Sequence, residues 1–211
     1  MEILSKMLYT SLYHYCQELT SHFSEIPEER KQTLKHLASH ITNKINQEQD
    51  IHLVYICTHN SRRSFFGQVW AAVAAEFYGL SSIKTYSAGT EATLINPTAI
   101  TTLLNVGYSI SGDFSGDNPV YKVKYTDDLS VTCFSKTINH EKNPKKGFIA
   151  IMTCSEANES CPVVPGADLR ISTPYEDPKQ FDKTPVEKDQ YEITSRKIAL
   201  EILFTLSLLN T

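Results

Sequence analysis

The 211-residue chain reads as an α/β three-layer sandwich: a parallel sheet with helices on both faces, preceded by a helical hairpin and interrupted by an inserted β-hairpin. Three observations lead there. Short β-branched runs alternate with stretches of helical period between residues 51 and 107, and strands joined by helices of this length lie parallel, with the helices packed over them. Around residues 120–134 the period changes to the strict alternation of a hairpin. Residues 1–50 carry two helical stripes and no strand.

In order, the first stripe is Leu4, Met7, Leu8, Leu12, Tyr15, Leu19 and Phe23, and the second, after a break at Ser24 to Pro27, is Leu34, Leu37, Ile41 and Ile45. The pattern leaves open whether this hairpin packs on the rest of the chain or on another subunit. His36 and His40 share a helix face, but no carboxylate or cysteine completes a metal site, so they read as solvated residues and no metal or cofactor is expected. Val54 to Ile56 open a strand that ends in Cys57; Phe66, Val69, Trp70, Val73 and Phe77 then repeat as in a helix. Ile83 to Ala88 is a second strand closed by Gly89, and Asn96-Pro97 starts a helix that Gly107 stops. Residues of about 113–146 hold the insertion, its arms being Val120 to Tyr125 and Leu129 to Phe134. Phe148 to Thr153 is a buried strand ending in Cys154. The Pro-rich segment from Pro162 to Pro178 reads as turns without regular structure. Glu187 to Leu209 forms the last helix.

Composition narrows the function classes. At 41% hydrophobic the chain can bury a full core, and its net charge of -4 argues against a nucleic-acid partner. The most apolar run, Ile202 to Leu209, is too short to span a bilayer, and the N-terminus lacks the apolar core of a signal peptide, so no membrane association and a cytoplasmic location are expected. Five cysteines, an odd number, do not suit a secreted disulfide framework and point to catalytic, redox-active or buried thiols. Cys16 and Cys133 read as core residues.

The chemistry lies in residues 57–64, CTHNSRRS. A cysteine at the end of a buried strand, with a helix starting a few residues on, faces unpaired backbone N–H groups and the positive end of the helix dipole, which favour a thiolate. Arg63 offers a planar fork of donors for a tetrahedral oxyanion. Thr58, His59, Asn60, Ser61, Arg62 and Ser64 complete an oxyanion cradle. Attack by sulfur on phosphate or a phosphate-like ion is the chemistry implied. Cys154 also ends a strand, and ligands of open α/β sheets bind at the carboxyl ends of strands, so Cys57 and Cys154 are expected near each other. Expelling an oxygen needs an acid; Asp177, in a proline-fixed loop, is the candidate, with Glu176 and Asp182 as rivals.

CTHNSRRS resembles the phosphate-binding loop of the low-molecular-weight protein tyrosine phosphatase family, Cys-x5-Arg-Ser with Asn in the fourth place. YSAGTEATLINPTAI, MTCSEANESCPVVPGA and Glu176-Asp177-Pro178 narrow it to the thioredoxin-coupled arsenate reductases on that fold. The resemblance covers about residues 51–211 as a catalytic domain, apart from the inserted hairpin, and leaves residues 1–50 outside as a helical extension. It implies a four-stranded parallel sheet and a thiol relay. Cys57 would attack arsenate while Asp177 protonates the departing oxygen; Cys154 would attack Cys57 and release arsenite; Cys161 would take over Cys154, leaving a disulfide for thioredoxin or a similar thiol reductant. Phosphomonoester hydrolysis through a phosphocysteine is the alternative, and oxyanion binding without turnover a third reading. The sequence departs from the pattern at His59 (usually Gly), at Arg62 (commonly Cys), which as an extra cation is expected to lower the Cys57 pKa further, and at Gln68 (Glu in the potassium-binding reductases, although Asn60 and Ser87 remain). Lys179 and Gln180 stand where many tyrosine phosphatases have an aromatic pair, which disfavours a phosphotyrosine substrate.

Overall fold

The computed structural model describes residues 8–160 and 163–209. Leu4, Met7 and Cys161 lie outside the described residues. In chain order the elements are α1 (Thr10–Thr20), α2 (Glu28–Asn46), β1 (Ile51–Cys57), α3 (Arg63–Phe77), β2 (Ile83–Gly89), α4 (Pro97–Val106), β3 (Ser109–Asp113), β4 (Val120–Lys124), β5 (Ser130–Cys133), β6 (Phe148–Met152), α5 (Ser155–Ser160), β7 (Ala167–Ser172) and α6 (Glu187–Ser207). β1, β2, β6 and β7 form a four-stranded parallel sheet in the order β2-β1-β6-β7.

The two faces of this sheet feed separate cores, as the period of a strand requires. Leu53, Tyr55, Ile149 and Ile151 face the larger core, which also takes in α1, α2, α3, α4 and α6. Val54, Ile56, Phe148, Ala150 and Met152 face the other side, where Ala157 of α5 and Val164 cover them. The helical layers are therefore unequal. α3 is buried from Arg63 to Ala75 because it is clamped between the sheet and α6. It approaches β1 so closely at Gly67 that an added Cβ would enter the Tyr55 ring, and only glycine fits there.

Two strands depart from the sequence reading. The insertion is a three-stranded antiparallel meander, β3-β4-β5, that starts at Ser109. The strand the hairpin reading omitted, Ser-Ile-Ser-Gly-Asp, carries one large apolar residue and stays mostly exposed, so it has no buried face to leave a period-2 signal. The fourth strand of the main sheet, β7, lies inside the segment read as turns. Its residues Ala-Asp-Leu-Arg-Ile-Ser bury only Ile171, as suits an edge strand, and the prolines and glycine that suggested irregularity flank it.

The N-terminal helices pack on the rest of the chain, which settles what the stripes left open. Leu12 and Leu19 of α1 and Leu34, Leu37 and Ile41 of α2 are buried in the larger core. The single tryptophan ties three helices together: Trp70 of α3 stacks on Tyr15 of α1 at 5.5 Å, and its Nε1 donates to Ser195 Oγ of α6 at 2.9 Å. Lys44, at the end of α2, donates to Asp168 of β7 at 2.5 Å and to the Gly147 carbonyl at 3.3 Å.

Candidate active site

Cys57 is the last residue of β1 and is buried, and α3 begins six positions later at Arg63. The intervening loop is held from outside by its carbonyls. Thr58 O accepts from Glu91 N–H at 2.8 Å, His59 O from Ser135 Oγ at 2.9 Å, and Ser61 O from Asn96 N–H at 3.1 Å. Among the described residues no backbone N–H from His59 to Ser64 donates to a protein acceptor. With the carbonyls tied outward, these unpaired donors form the kind of cradle that an anion satisfies. Asn60, in the left-handed region at φ 47°, makes the sharp bend that this arrangement needs. Gly89 makes room for the bend: a Cβ there would strike the carbonyls of Glu91 and Thr58 and the amide of Asn60.

A relay of hydrogen bonds leads to the Cys57 sulfur. Lys136 N–H donates to Asn60 Oδ1 at 2.9 Å, which leaves the Asn60 amide nitrogen to donate to Ser64 Oγ at 2.8 Å. Since Ser64 Oγ accepts there, its own hydrogen is available to the Cys57 sulfur 3.1 Å away.

The rest of the site comes from distant parts of the chain. Arg63, 4% exposed, donates to the Tyr175 carbonyl at 3.0 Å and to Asp177 Oδ2 at 2.5 Å, and its Nε has no partner among the described residues. Of the three candidate acids, Asp177 is the one that meets Arg63; its other oxygen accepts from Lys179 N–H at 3.0 Å, fixing the turn Pro178–Phe181. Glu176 pairs with Gln180 at the surface. Asp182 accepts from Arg62 Nη2 at 2.6 Å and from the Tyr191 hydroxyl at 2.7 Å. The same network takes the Arg62 guanidinium out of the loop, so the extra cation read beside Cys57 is neutralised by Asp182. His59 is half-buried and faces Glu91 at 3.7 Å. Gln68 accepts from Ser87 Oγ at 2.6 Å. Among the described residues no group of three metal-ligating side chains comes together.

Cys154, just past β6, stands beside the loop. Its sulfur lies 3.6 Å from Thr58 Oγ1 and accepts from Ala157 N–H at 3.3 Å. Burial pushes the Cys154 thiol up, and the Thr58 hydroxyl, the Ala157 amide and Arg63 offset only part of this. Thiolate at this sulfur therefore appears only as pH rises through and beyond the ordinary thiol range. Iodoacetamide labelling of the Cys154 peptide, followed by mass spectrometry, is expected to keep accelerating above pH about 8.5; a rate that levels off below that value would contradict the burial argument. Cys16 and Cys133, both buried, are pushed up to about 12 and lie away from the loop. Sequence reasoning missed the supports Gly89, Ser135 and Lys136. Their only local signal was a glycine ending a strand, and the other two lie in the insertion.

A family model described as low molecular weight phosphotyrosine protein phosphatase matches residues 52–161, just over half of the chain. Arsenate reductase 1 of Staphylococcus saprophyticus is 28% identical over 152 residues, 70% of this chain and 95% of that protein. The arsenate reductase of Bacillus subtilis is 28% identical over 136 residues, 64% of this chain and 80% of its own. Among solved structures, a YwlE mutant from Bacillus subtilis superposes with a TM-score of 0.51 at 14% identity, covering 76% of this chain and 99% of its own, a likeness of fold. No helix of the described residues is long and apolar enough to cross a membrane. By the extent of the family match, this chain belongs to the low-molecular-weight phosphotyrosine protein phosphatase family.

Proposed function

We propose that this protein reduces arsenate to arsenite by a relay of thiols, with residues 51–211 as the catalytic unit and residues 1–50 as a helical extension sharing its core. The observation that carries the reading is a second thiol, Cys154, set against the loop that holds Cys57, within contact distance of Thr58. The relatives named arsenate reductase support it.

The Cys57 thiolate attacks arsenic, and one As–O bond breaks as Asp177 gives its proton to the departing oxygen, which leaves as water. Arg63 and the loop amides stabilise the charge on the remaining oxygens. The Cys154 thiolate then attacks Cys57 Sγ; a disulfide forms, the S–As electron pair stays on arsenic, and arsenic falls from +5 to +3 and departs as arsenite. The Cys161 thiolate next attacks Cys154 Sγ, releasing Cys57 as thiolate and leaving a Cys154–Cys161 disulfide. A dithiol protein such as thioredoxin restores both thiols and is itself oxidised. Asp177 is ion-paired with Arg63, so an entering oxyanion competes with the carboxyl for the arginine.

One observation favours a second reading, hydrolysis of phosphomonoesters. Burial holds Cys154 as a thiol, while Cys57, Arg63 and Asp177 alone supply nucleophile, anion clamp and acid. The two readings separate in one experiment: arsenite formation with a thioredoxin system, and hydrolysis of an aryl phosphate, measured on wild type, Cys154→Ser and Cys161→Ser. The relay predicts that both variants lose multiple-turnover arsenite formation. Full arsenate turnover in Cys154→Ser would end the relay proposal, and aryl phosphate turnover as the sole activity would establish the hydrolase.

A further inference from the structure

Two sheet edges converge behind the catalytic loop. β2 is one edge of the parallel sheet and β5 one edge of the meander. At the loop end the two chains are stitched together: Gly89 N–H donates to Lys136 O at 2.8 Å and Ile138 N–H donates to Gly89 O at 3.1 Å. Farther back Gln68 spans them, its Nε2 3.4 Å from both Thr85 O and Thr132 O, which is near the limit of a hydrogen bond. Beyond that point the edges part into an open cleft of about 870 Å³, floored by Ala72 and Ala75 of α3.

The cleft is lined by two residues whose buried polar atoms lack hydrogen bonds among the described residues. Among the described residues neither Lys136 Nζ nor Thr85 Oγ1 has a hydrogen-bond partner. Lys136 is 4% exposed, and its ammonium sits 4.8 Å from the centre of the Phe134 ring without an ion pair among the described residues. Burial pushes this lysine toward its neutral form, with Cys133 opposing only in part. A buried cation with no counter-charge is costly, and so is a buried hydroxyl left unpaired. The remaining lining is mainly apolar, from Leu80, Leu129 and Val131, while Lys84 and Lys142 outnumber Glu76 among the other charged residues.

We propose that this cleft is a binding site for a small organic anion with an apolar body, its charged head taken by Lys136 Nζ and Thr85 Oγ1 and its body lying over α3. The cleft shares no lining residue with the pocket at Arg63, which is lined also by Glu156 and Asp177. The two are connected: Lys136 N–H holds Asn60, and Ser135 Oγ holds the His59 carbonyl. Occupation of the cleft is thus felt by the loop that orients Cys57.

Titration calorimetry on the full chain tests this with benzoate as the probe, benzamide as its uncharged counterpart, and inorganic phosphate present to occupy the Cys57 loop. Benzoate is expected to bind with Kd at or below about 1 mM. Benzamide, and benzoate on Lys136→Met, are expected to bind at least about tenfold more weakly, the least that losing a charged hydrogen bond supplies. Methionine suits a position where the wild-type ammonium is already buried, and circular dichroism checks its fold. Thr85→Val, which keeps the side-chain shape, is expected to weaken benzoate severalfold and serves if the methionine variant fails to fold. No benzoate binding at about 10 mM overturns the proposal, as does equal affinity for benzoate and benzamide or unchanged affinity in the variants.

Discussion

Replacing Cys57 by serine is expected to lower turnover by about 10⁴-fold or more, on arsenate and on an aryl phosphate alike, the scale on which removal of a nucleophile acts in other enzymes. The loop leaves its backbone donors free, and the Cys57 sulfur lies among them, 3.1 Å from the Ser64 hydroxyl. A serine hydroxyl does not ionise near neutral pH under the same influences. The loop's binding power should survive, because the His59 to Ser64 amides and Arg63 are untouched. Phosphate should therefore still protect the variant against thermal unfolding while steady-state rates collapse. A variant retaining a tenth of wild-type activity on either substrate would show that Cys57 is not the attacking group.

Arg30→Met is expected to destabilise the fold by roughly 3 kcal/mol, the lower end of the cost of removing one partner from a buried ion pair. Arg30, in α2, faces Glu201 of α6 at 3.6 Å, donates to the Pro174 carbonyl at 2.7 Å, and lies over the Tyr175 ring. Glu201 is 1% exposed, and its carboxyl is pushed up by burial, with Arg30 and the Tyr175 hydroxyl drawing it back. Without the arginine, a buried carboxylate keeps the Tyr175 hydroxyl and the weaker attraction of Lys197. Differential scanning calorimetry should show Tm falling by about 6–12 °C for a chain of this size. Combining the change with Glu201→Gln removes the stranded charge, so the double variant should recover part of the loss; strict additivity would deny the coupling. The Tyr175 carbonyl also accepts from Arg63, so α2, through Arg30, braces the backbone that holds Arg63. Arg30→Met is accordingly expected to raise KM for the oxyanion in the fraction that remains folded.

The boundary between what could be read from residue order and what could not follows the range of the interactions. Cys57, its loop and the start of α3 are contiguous, and a strand end, a loop of unpaired amides and a helix N-terminus make a local object, so the strand, loop and helix were legible in residue order. The helical stripes of residues 8–45 and the buried runs of β1 and β6 were legible for the same reason, since burial on one face imprints a period. β3 and β7 left no such imprint, one being mostly exposed and the other an edge between prolines. Residue order also left open which carboxylate meets Arg63, because Asp177 stands 114 positions away. It likewise could not disclose that Arg62 is claimed by Asp182, 120 positions on, nor that α2 reaches the acid loop through Arg30. Chemistry confined to one turn of chain is written in the order of its residues, whereas the choice among several equivalent acids, cations and packing faces depends on which of them the folded chain brings within about 3 Å of a partner, the reach of a hydrogen bond.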